Sequence, residues 1–180
     1  NRRNYESFFK DYRDLSGLAP NSTLRSDLVL EEGFAQARFG DPRAGDTIEL
    51  FLHHFPKHPR QNEARVALAE LALADGDKAG AGRYLQVVNS APADADTAER
   101  AAYLAVFIAD AETPPNTPKL IELSRKFLRD FPHSIYLPEV RMKPGQTYFG
   151  TGDHANAETQ FTLLARENPN GPYTETALLL

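Results

Sequence analysis

The apolar residues of this chain follow two helical patterns that alternate along the sequence. In the first pattern, the segment from Ala64 to Ala74 leaves almost no polar side, since only Arg65 and Glu70 interrupt it. A helix that is apolar on nearly all sides is covered on nearly all sides. In the second pattern, the apolar residues form one stripe at helical spacing. These stripes are Ile48, Phe51, Leu52 and Phe55; Tyr84, Leu85, Val87 and Val88; Ile121, Leu123, Phe127 and Leu128; and Phe161, Leu164 and Ala165.

Prolines and acidic residues mark a repeat of 36 to 40 residues. The prolines, each directly after a helical segment that proline cannot continue, are Pro20, Pro56, Pro92, Pro132 and Pro169. The acids, six or seven residues after these prolines, are Asp27, Glu63, Glu99, Glu139 and Glu175. An acid in the first turn of a helix faces the positive end of the helix dipole. We therefore expect the acids to stabilise helix starts; the alternative is an acidic ladder along a binding groove.

A Gly-Asp pair lies about halfway between prolines, at 40–41, 76–77 and 152–153. Glycine can adopt the left-handed conformation that ends a helix, so each repeat is expected to be two helices joined by a tight turn. The predicted pairs are 26–39 with 43–55, 62–74 with 78–90, 97–111 with 118–131, and 138–150 with 154–167. A leading helix at about 3–16 and a trailing helix from about 173 flank them.

The repeats predict an all-α fold, with one domain of stacked antiparallel helix pairs over residues 1–180. One pair cannot bury enough surface alone, so stacking makes the core. The predicted units are a partial one at 1–20, full ones at about 21–56, 57–92, 93–132 and 133–169, and a further start at 170–180. The beginning at Asn1 and the apolar end at 178–180 suggest a fragment of a longer protein, with any signal peptide upstream.

Composition and missing motifs argue against several classes of function. The net charge of −5 and the pI near 5.5 argue against a nucleic-acid partner, which would favour a basic chain. The chain has no cysteine, and no apolar run is long enough to span a membrane. His54 and His58 have metal-ligand spacing, but Pro56 between them ends the helix, so we expect no metal site. Nucleophile-elbow, P-loop and dinucleotide motifs are missing, and we expect neither an enzyme nor a cofactor.

The segment from Pro138 to Pro169 resembles the tetratricopeptide repeat. The matching positions are Gly145, Tyr148, Gly152, Asp153, Ala157, Phe161 and Pro169. The resemblance implies a right-handed α-α superhelix whose first helices line a concave groove for a peptide or helix of a partner. Pro144 departs from the family, which normally has leucine there; either that helix begins late, near Met142, or it kinks.

Family groove positions, carried onto this sequence, predict the partner-binding residues. They are Leu30, Phe34, Val66, Glu70, Leu73, Tyr103, Val106, Met142, Gln146 and Phe149. The alternative for each is packing between repeats. The lysine and asparagine clamp that some members use on a C-terminal carboxylate is missing, and Glu63, Glu70 and Glu99 stand where positive charge would help. A partner that presents a bare acidic tail is therefore disfavoured.

The resemblance predicts a protein-interaction scaffold. The Phe55-Pro56 and Phe131-Pro132 motifs are most similar to bacterial envelope members, such as the periplasmic Tol–Pal-associated protein and outer-membrane assembly lipoproteins. This likeness implies a periplasmic or outer-membrane-associated protein. The alternative is an accessory repeat domain of a larger enzyme or of a cytoplasmic regulator. Self-association through the apolar end, Ala177 to Leu180, is a further possibility.

Overall fold

The computed structural model describes residues 7, 10, 11, 14, 24–91, 93–112, 116–171 and 173–179. Within these residues the chain forms nine α-helices and no β-strand. They are α1 (Leu24–Arg38), α2 (Ala44–His54), α3 (Gln61–Ala74), α4 (Lys78–Asn89), α5 (Ala95–Asp110), α6 (Thr117–Asp130), α7 (Leu137–Gly150), α8 (His154–Glu167) and α9 (Thr174–Leu179). Helices pack in adjacent pairs in chain order, which confirms the predicted all-α repeat fold.

The helix boundaries agree closely with the sequence prediction. All eight helices predicted between residues 26 and 167 are present, and each begins and ends within two residues of its predicted bounds. The predicted leading helix at 3–16 lies almost wholly outside the described residues, as do Pro20, Pro92 and residues 113–115. The chain divides into two compact units: an N-terminal unit, Asn1–Ala93, with α1 to α4, and a C-terminal unit, Asp94–Leu180, with α5 to α9. The prediction of a single repeat domain stays a prediction.

The three Gly-Asp turns have the geometry that their sequence predicts. Gly40, Gly76 and Gly152 have φ angles of 68°, 81° and 79°, in the left-handed region that glycine enters without a steric penalty. After two of these glycines the aspartate caps the next helix: Asp77 accepts from the Gly80 N–H at 2.8 Å, and Asp153 from the Asn156 N–H at 3.3 Å. Glycine thus ends one helix, and the following aspartate begins the next.

Each second helix of a pair buries one stripe of three residues, at a first position and then four and seven residues further on. The stripes are Ala44, Ile48 and Phe51 in α2; Ala81, Leu85 and Val88 in α4; Leu120, Ser124 and Phe127 in α6; and Ala157, Phe161 and Leu164 in α8. In two pairs the middle residue of the stripe lies directly against a glycine of the first helix. A Cβ atom on Gly33 would lie 2.5 Å from Ile48, and one on Gly145 would lie 2.5 Å from the ring of Phe161.

The repeated acids lie at helix starts in four of five cases. Asp27, Glu63, Glu139 and Glu175 occupy the first turns of α1, α3, α7 and α9. Glu99 does not, because α5 already begins at Ala95. The expectation that the acids complement helix dipoles therefore fits all but Glu99.

Pro144 lies inside α7 and is buried. The alternative in which this helix begins near Met142 is wrong, since α7 begins at Leu137. Proline has no N–H, so the carbonyl of Val140 cannot accept the usual helical hydrogen bond from residue 144. Buried residues on both sides of the proline hold the helix by packing instead: Val140, Met142, Gly145 and Tyr148.

Among the described helices, none has the combination of length and apolar character that a bilayer span requires.

Replacing Gly145 with alanine tests the close approach of α7 to α8. The new methyl group would press on the Phe161 ring, and overpacking of this kind costs about 1–3 kcal/mol of the free energy of unfolding. Gly150, at the end of the same helix, is the matched control, because a Cβ there has no neighbour within 4 Å. We expect Gly150→Ala to be neutral or to stabilise by up to about 1 kcal/mol. Urea unfolding measures both, and equal effects of the two substitutions would contradict the proposed contact.

Replacing Ser124 with alanine tests the odd member of the stripes. Ser124 has no exposed surface, and its hydroxyl has no hydrogen-bond partner among the described residues. A buried unsatisfied polar group costs about 1–3 kcal/mol, so we expect Ser124→Ala to raise the free energy of unfolding by about 1 kcal/mol. The control is Ser90→Ala, at an exposed serine whose hydroxyl donates to the Gln86 carbonyl at 2.8 Å; it should be neutral or slightly destabilising. A loss of stability in Ser124→Ala would show that its hydroxyl is satisfied in solution.

Candidate partner-binding surface

Four of the ten predicted groove residues are buried. Leu30, Val66 and Val106 have no exposed surface, and Met142 is 4 % exposed. A side chain without exposed surface cannot contact a partner, so in this structure these four are packing residues, as the alternative interpretation allowed. The residues with exposed surface are Phe34, Glu70, Leu73, Tyr103, Gln146 and Phe149.

In the N-terminal unit, Phe34 lies beside a network centred on Arg60, the residue directly before α3. The Arg60 guanidinium is 2.8 Å from Glu31, 2.7 Å from Glu63 and 3.6 Å from Asp27. It also lies over the Phe34 ring, 5.6 Å from its centroid. The carboxylates of Glu63 and Glu31 raise the pKa of Arg60, with the Glu63 hydrogen bond the largest cause. This surface of α1 and α3 is therefore ionic, with Arg60 held in place.

Glu70 and Leu73 are half-buried on α3, in its last two turns. Phe34 packs against the core of the N-terminal unit, so this predicted groove residue is partly core. The exposed surface of the predicted groove in this unit is the outer part of Phe34 beside the carboxylates around Arg60, with Glu70 and Leu73 further along α3.

In the C-terminal unit, Tyr103 belongs to a half-exposed aromatic cluster. Its ring stacks on Tyr136, with centroids 4.1 Å apart and planes 26° apart, and its centroid is 4.7 Å from that of Phe107. The Tyr103 hydroxyl donates a hydrogen bond to Glu139 at 2.9 Å. We call Tyr103, Phe107, Tyr136 and Glu139 the aromatic patch. It joins α5 to the start of α7 and carries both apolar and hydrogen-bonding surface.

Lys143 lies next to Phe107, at the end of the aromatic patch away from Tyr136. Its ammonium group is 2.7 Å from the carboxylate of Asp110 and 4.8 Å from the centroid of Phe107. Contacts between α5 and α7 thus run in the same direction along both helices, from Tyr103 with Glu139 to Phe107 and Asp110 with Lys143. The two first helices of this unit are therefore parallel neighbours, with their facing edges lined by aromatic and charged groups.

Two tyrosines donate hydrogen bonds to carboxylates of a neighbouring helix pair, and the pKa values of both tyrosines are raised. Burial and the hydrogen bond to Glu139 raise the pKa of Tyr103 above its ordinary value. Tyr84 donates to Glu49, and this bond raises the pKa of Tyr84 to about 12. In each case the protonated phenol is favoured, because ionisation would place two negative charges side by side.

Gln146 and Phe149 lie further along α7. Gln146 is exposed, one turn beyond Lys143. Phe149 is 40 % exposed and borders an open cavity of about 360 Å³ between α7, α8 and α9, lined also by His154, Glu158, Phe161 and Leu178. Leu178 and Leu179 are 72 % and 81 % exposed beside it. Self-association through this apolar end stays a prediction.

The histidine pair singled out in the sequence is not brought together as a ligand pair. His54 is exposed at the end of α2, whereas His58 accepts a hydrogen bond from the Arg60 N–H at 3.3 Å and packs on Phe51. In the described part of the chain, no group of three or more His, Cys, Asp or Glu side chains could hold a metal ion.

Sequence reasoning missed Arg60, Phe107, Tyr136 and Lys143. Arg60 and Tyr136 each stand three residues before a repeated acid. Arg60 contacts Glu31, which lies four residues after the repeated acid Asp27. Tyr136 contacts Tyr103, which lies four residues after the repeated acid Glu99. The signal was thus present in the spacing, but both residues lie in loops before helices, where no groove position was sought.

Comparison with known proteins leaves the family open. A scan against protein-family models and a search of curated proteins each found no match to this chain.

Alkaline titration tests the link between Tyr103 and Glu139. A tyrosine whose folded pKa is raised contributes stability that is complete below its unfolded pKa of about 10 and is lost as the pH rises towards the folded value. We expect the free energy of unfolding to fall between pH 10 and 12, and to fall less steeply in Tyr103→Phe. Tyr84→Phe measures the separate contribution of the Tyr84–Glu49 bond. Urea unfolding at stepped pH checks this, and an unchanged slope in Tyr103→Phe would contradict the assignment.

Proposed function

We propose that this chain is a tetratricopeptide-type scaffold that binds a peptide or helix of a partner protein along its first helices. The observation that carries the proposal is the aromatic patch, where three rings that pack against the core keep part of their surface exposed between two parallel helices. Partner-binding surfaces are enriched in aromatic residues, and tyrosine supplies both apolar contact and a hydrogen-bonding group. The proposal assigns no catalytic step to the chain.

Two further features support a binding surface on the first helices. The edge of α7 continues from the aromatic patch through Lys143 to the exposed Gln146, which gives a partner a row of contacts along one helix. In the N-terminal unit the facing edges of α1 and α3 carry Phe34 beside ionic groups. Mixed apolar and polar contacts of this kind are those by which grooves hold amphipathic helices or extended peptides.

The narrower part of the proposal places the protein in the bacterial envelope, in the periplasm or associated with the outer membrane. Its support is the similarity of the Phe55-Pro56 and Phe131-Pro132 motifs to envelope members of the family. In this chain both phenylalanines end a second helix, and their rings pack against buried Phe51 and Phe127 at 5.7 Å and 5.1 Å.

Site-specific photo-crosslinking in the cells that produce the protein tests the binding surface. A benzophenone amino acid at Gln146 reports on the first-helix edge, and the same probe at Glu122, exposed on the second helix α6, is the matched control. We expect a discrete partner adduct from position 146 and a much weaker one from position 122, because only the first-helix edge faces the bound segment.

The opposite pattern, with adducts from position 122 alone, would move the binding surface to the second helices and overturn the proposal. Fractionation of the same cells checks the location: recovery only with cytoplasmic proteins would contradict the envelope assignment without affecting the binding surface.

A further inference from the structure

Glu139 is a half-buried carboxylate that lacks a cationic partner among the described residues. Its hydrogen bond comes from the hydroxyl of Tyr103, which is neutral and leaves the negative charge uncompensated. The cation one turn away, Lys143, is 2.7 Å from Asp110, and Arg141 pairs with Glu167 at 2.9 Å. A carboxylate that has lost part of its water shell gains from a cation at hydrogen-bond distance.

The equivalent carboxylate of the N-terminal unit shows what completes such a position. Glu63 and Glu139 are both repeated acids in the first turn of a first helix. Three residues earlier stand Arg60 and Tyr136. The Arg60 guanidinium lies between Glu63 and Glu31 at 2.7 Å and 2.8 Å, whereas Tyr136 stacks on Tyr103 and brings no charge. Beside the first-turn acid the N-terminal unit therefore has a cation of its own, whereas the described residues of the C-terminal unit place a tyrosine ring there.

The helix dipole does not account for this difference. Glu139 in a first turn gains from the positive end of α7, and Glu63 gains equally from α3. Glu63 nevertheless binds a guanidinium in addition. The dipole explains why a carboxylate is tolerated at both positions and leaves the absence of a counter-ion at Glu139 unexplained.

The rings around Glu139 are suited to a cation. In this chain a cation lies over an aromatic ring in each unit, Arg60 over Phe34 at 5.6 Å and Lys143 over Phe107 at 4.8 Å, and each also contacts carboxylates. Tyr103, Tyr136 and Glu139 offer the same combination of aromatic rings and a carboxylate, and no cation of the described part of the chain lies between them.

We infer that Tyr103, Tyr136 and Glu139 form a recognition site for a lysine or arginine side chain of the partner segment. The inference rests on the proposed function and names the chemistry of its ligand. The incoming cation pairs with the Glu139 carboxylate as Arg60 pairs with that of Glu63. An acidic segment is excluded by repulsion from Glu139.

Selection from a random peptide library displayed on phage tests this inference, with the whole 180-residue chain as bait. We expect enriched peptides that contain lysine or arginine. Two variants remove the site by different means. Glu139→Gln keeps an acceptor for the Tyr103 hydroxyl and deletes the charge, and Tyr136→Arg supplies the missing guanidinium from the chain itself. Both should weaken binding of the enriched peptides about tenfold, equivalent to about 1.4 kcal/mol. Circular dichroism verifies that each variant is folded.

Glu63→Gln is the matched control, because that carboxylate already has its own cation; its peptide affinity should stay within about twofold of wild type, well short of the tenfold loss above. Enrichment of peptides without a cation, equal binding to wild type and Glu139→Gln, or no enrichment at all would overturn the inference. The proposed function has a separate test: a crosslink from position 146 to a partner segment without lysine or arginine would leave the scaffold function standing and remove this site alone.

Discussion

In two of the four described helix pairs, α1 with α2 and α7 with α8, the packing depends on the close approach of the first helix to the second. At Gly33 against Ile48, and at Gly145 against Phe161, the helices are so near that a single methyl group would not fit. Because one large side chain fits one gap, the register of the two helices is fixed. The stripe at positions one, five and eight of the buried face then repeats in every second helix. Once that register is set, the side of the first helix left over is the side that carries the aromatic patch.

Local signals predicted the fold well because each helix end has a local cause. Proline follows the second helices, glycine with positive φ ends the first helix in three of the four pairs, and aspartate caps the next helix in two of them, so boundaries fell within two residues. Pro144 shows where local reasoning stops. Its missing hydrogen bond suggested a late helix start, but buried neighbours on both sides, such as Val140 and Tyr148, keep α7 helical through it. Packing outweighs one backbone hydrogen bond, and packing is not visible along the sequence.

The binding surface was predicted less well, for a related reason. Leu30, Val66, Val106 and Met142 were assigned to the groove from family positions alone, and they are core. Periodicity could not correct this for Val66, because its helix is apolar on nearly all sides and gives no signal for the side that stays exposed. Tyr103, Gln146 and Phe149 do retain exposed surface. The partners of Tyr103 come from a loop residue and from a helix-start acid, Tyr136 and Glu139. Such contacts between repeats become apparent only when equivalent positions of successive repeats are compared in space.

That comparison separates what stabilises the stack from what it can recognise. The contact between successive first helices needs only some attractive pair at its surface, and an ion pair or an aromatic stack serves. In the N-terminal unit the carboxylates of Glu31 and Glu63 are both paired with Arg60 of the same chain. In the C-terminal unit the Tyr103–Tyr136 stack and the Lys143–Asp110 ion pair supply the attraction, and Glu139 has no cationic partner among the described residues. The stack does not involve the Glu139 carboxylate, so its negative charge stays available to select a ligand. The contact between successive first helices thus stabilises both units and discriminates between partners only in the C-terminal unit.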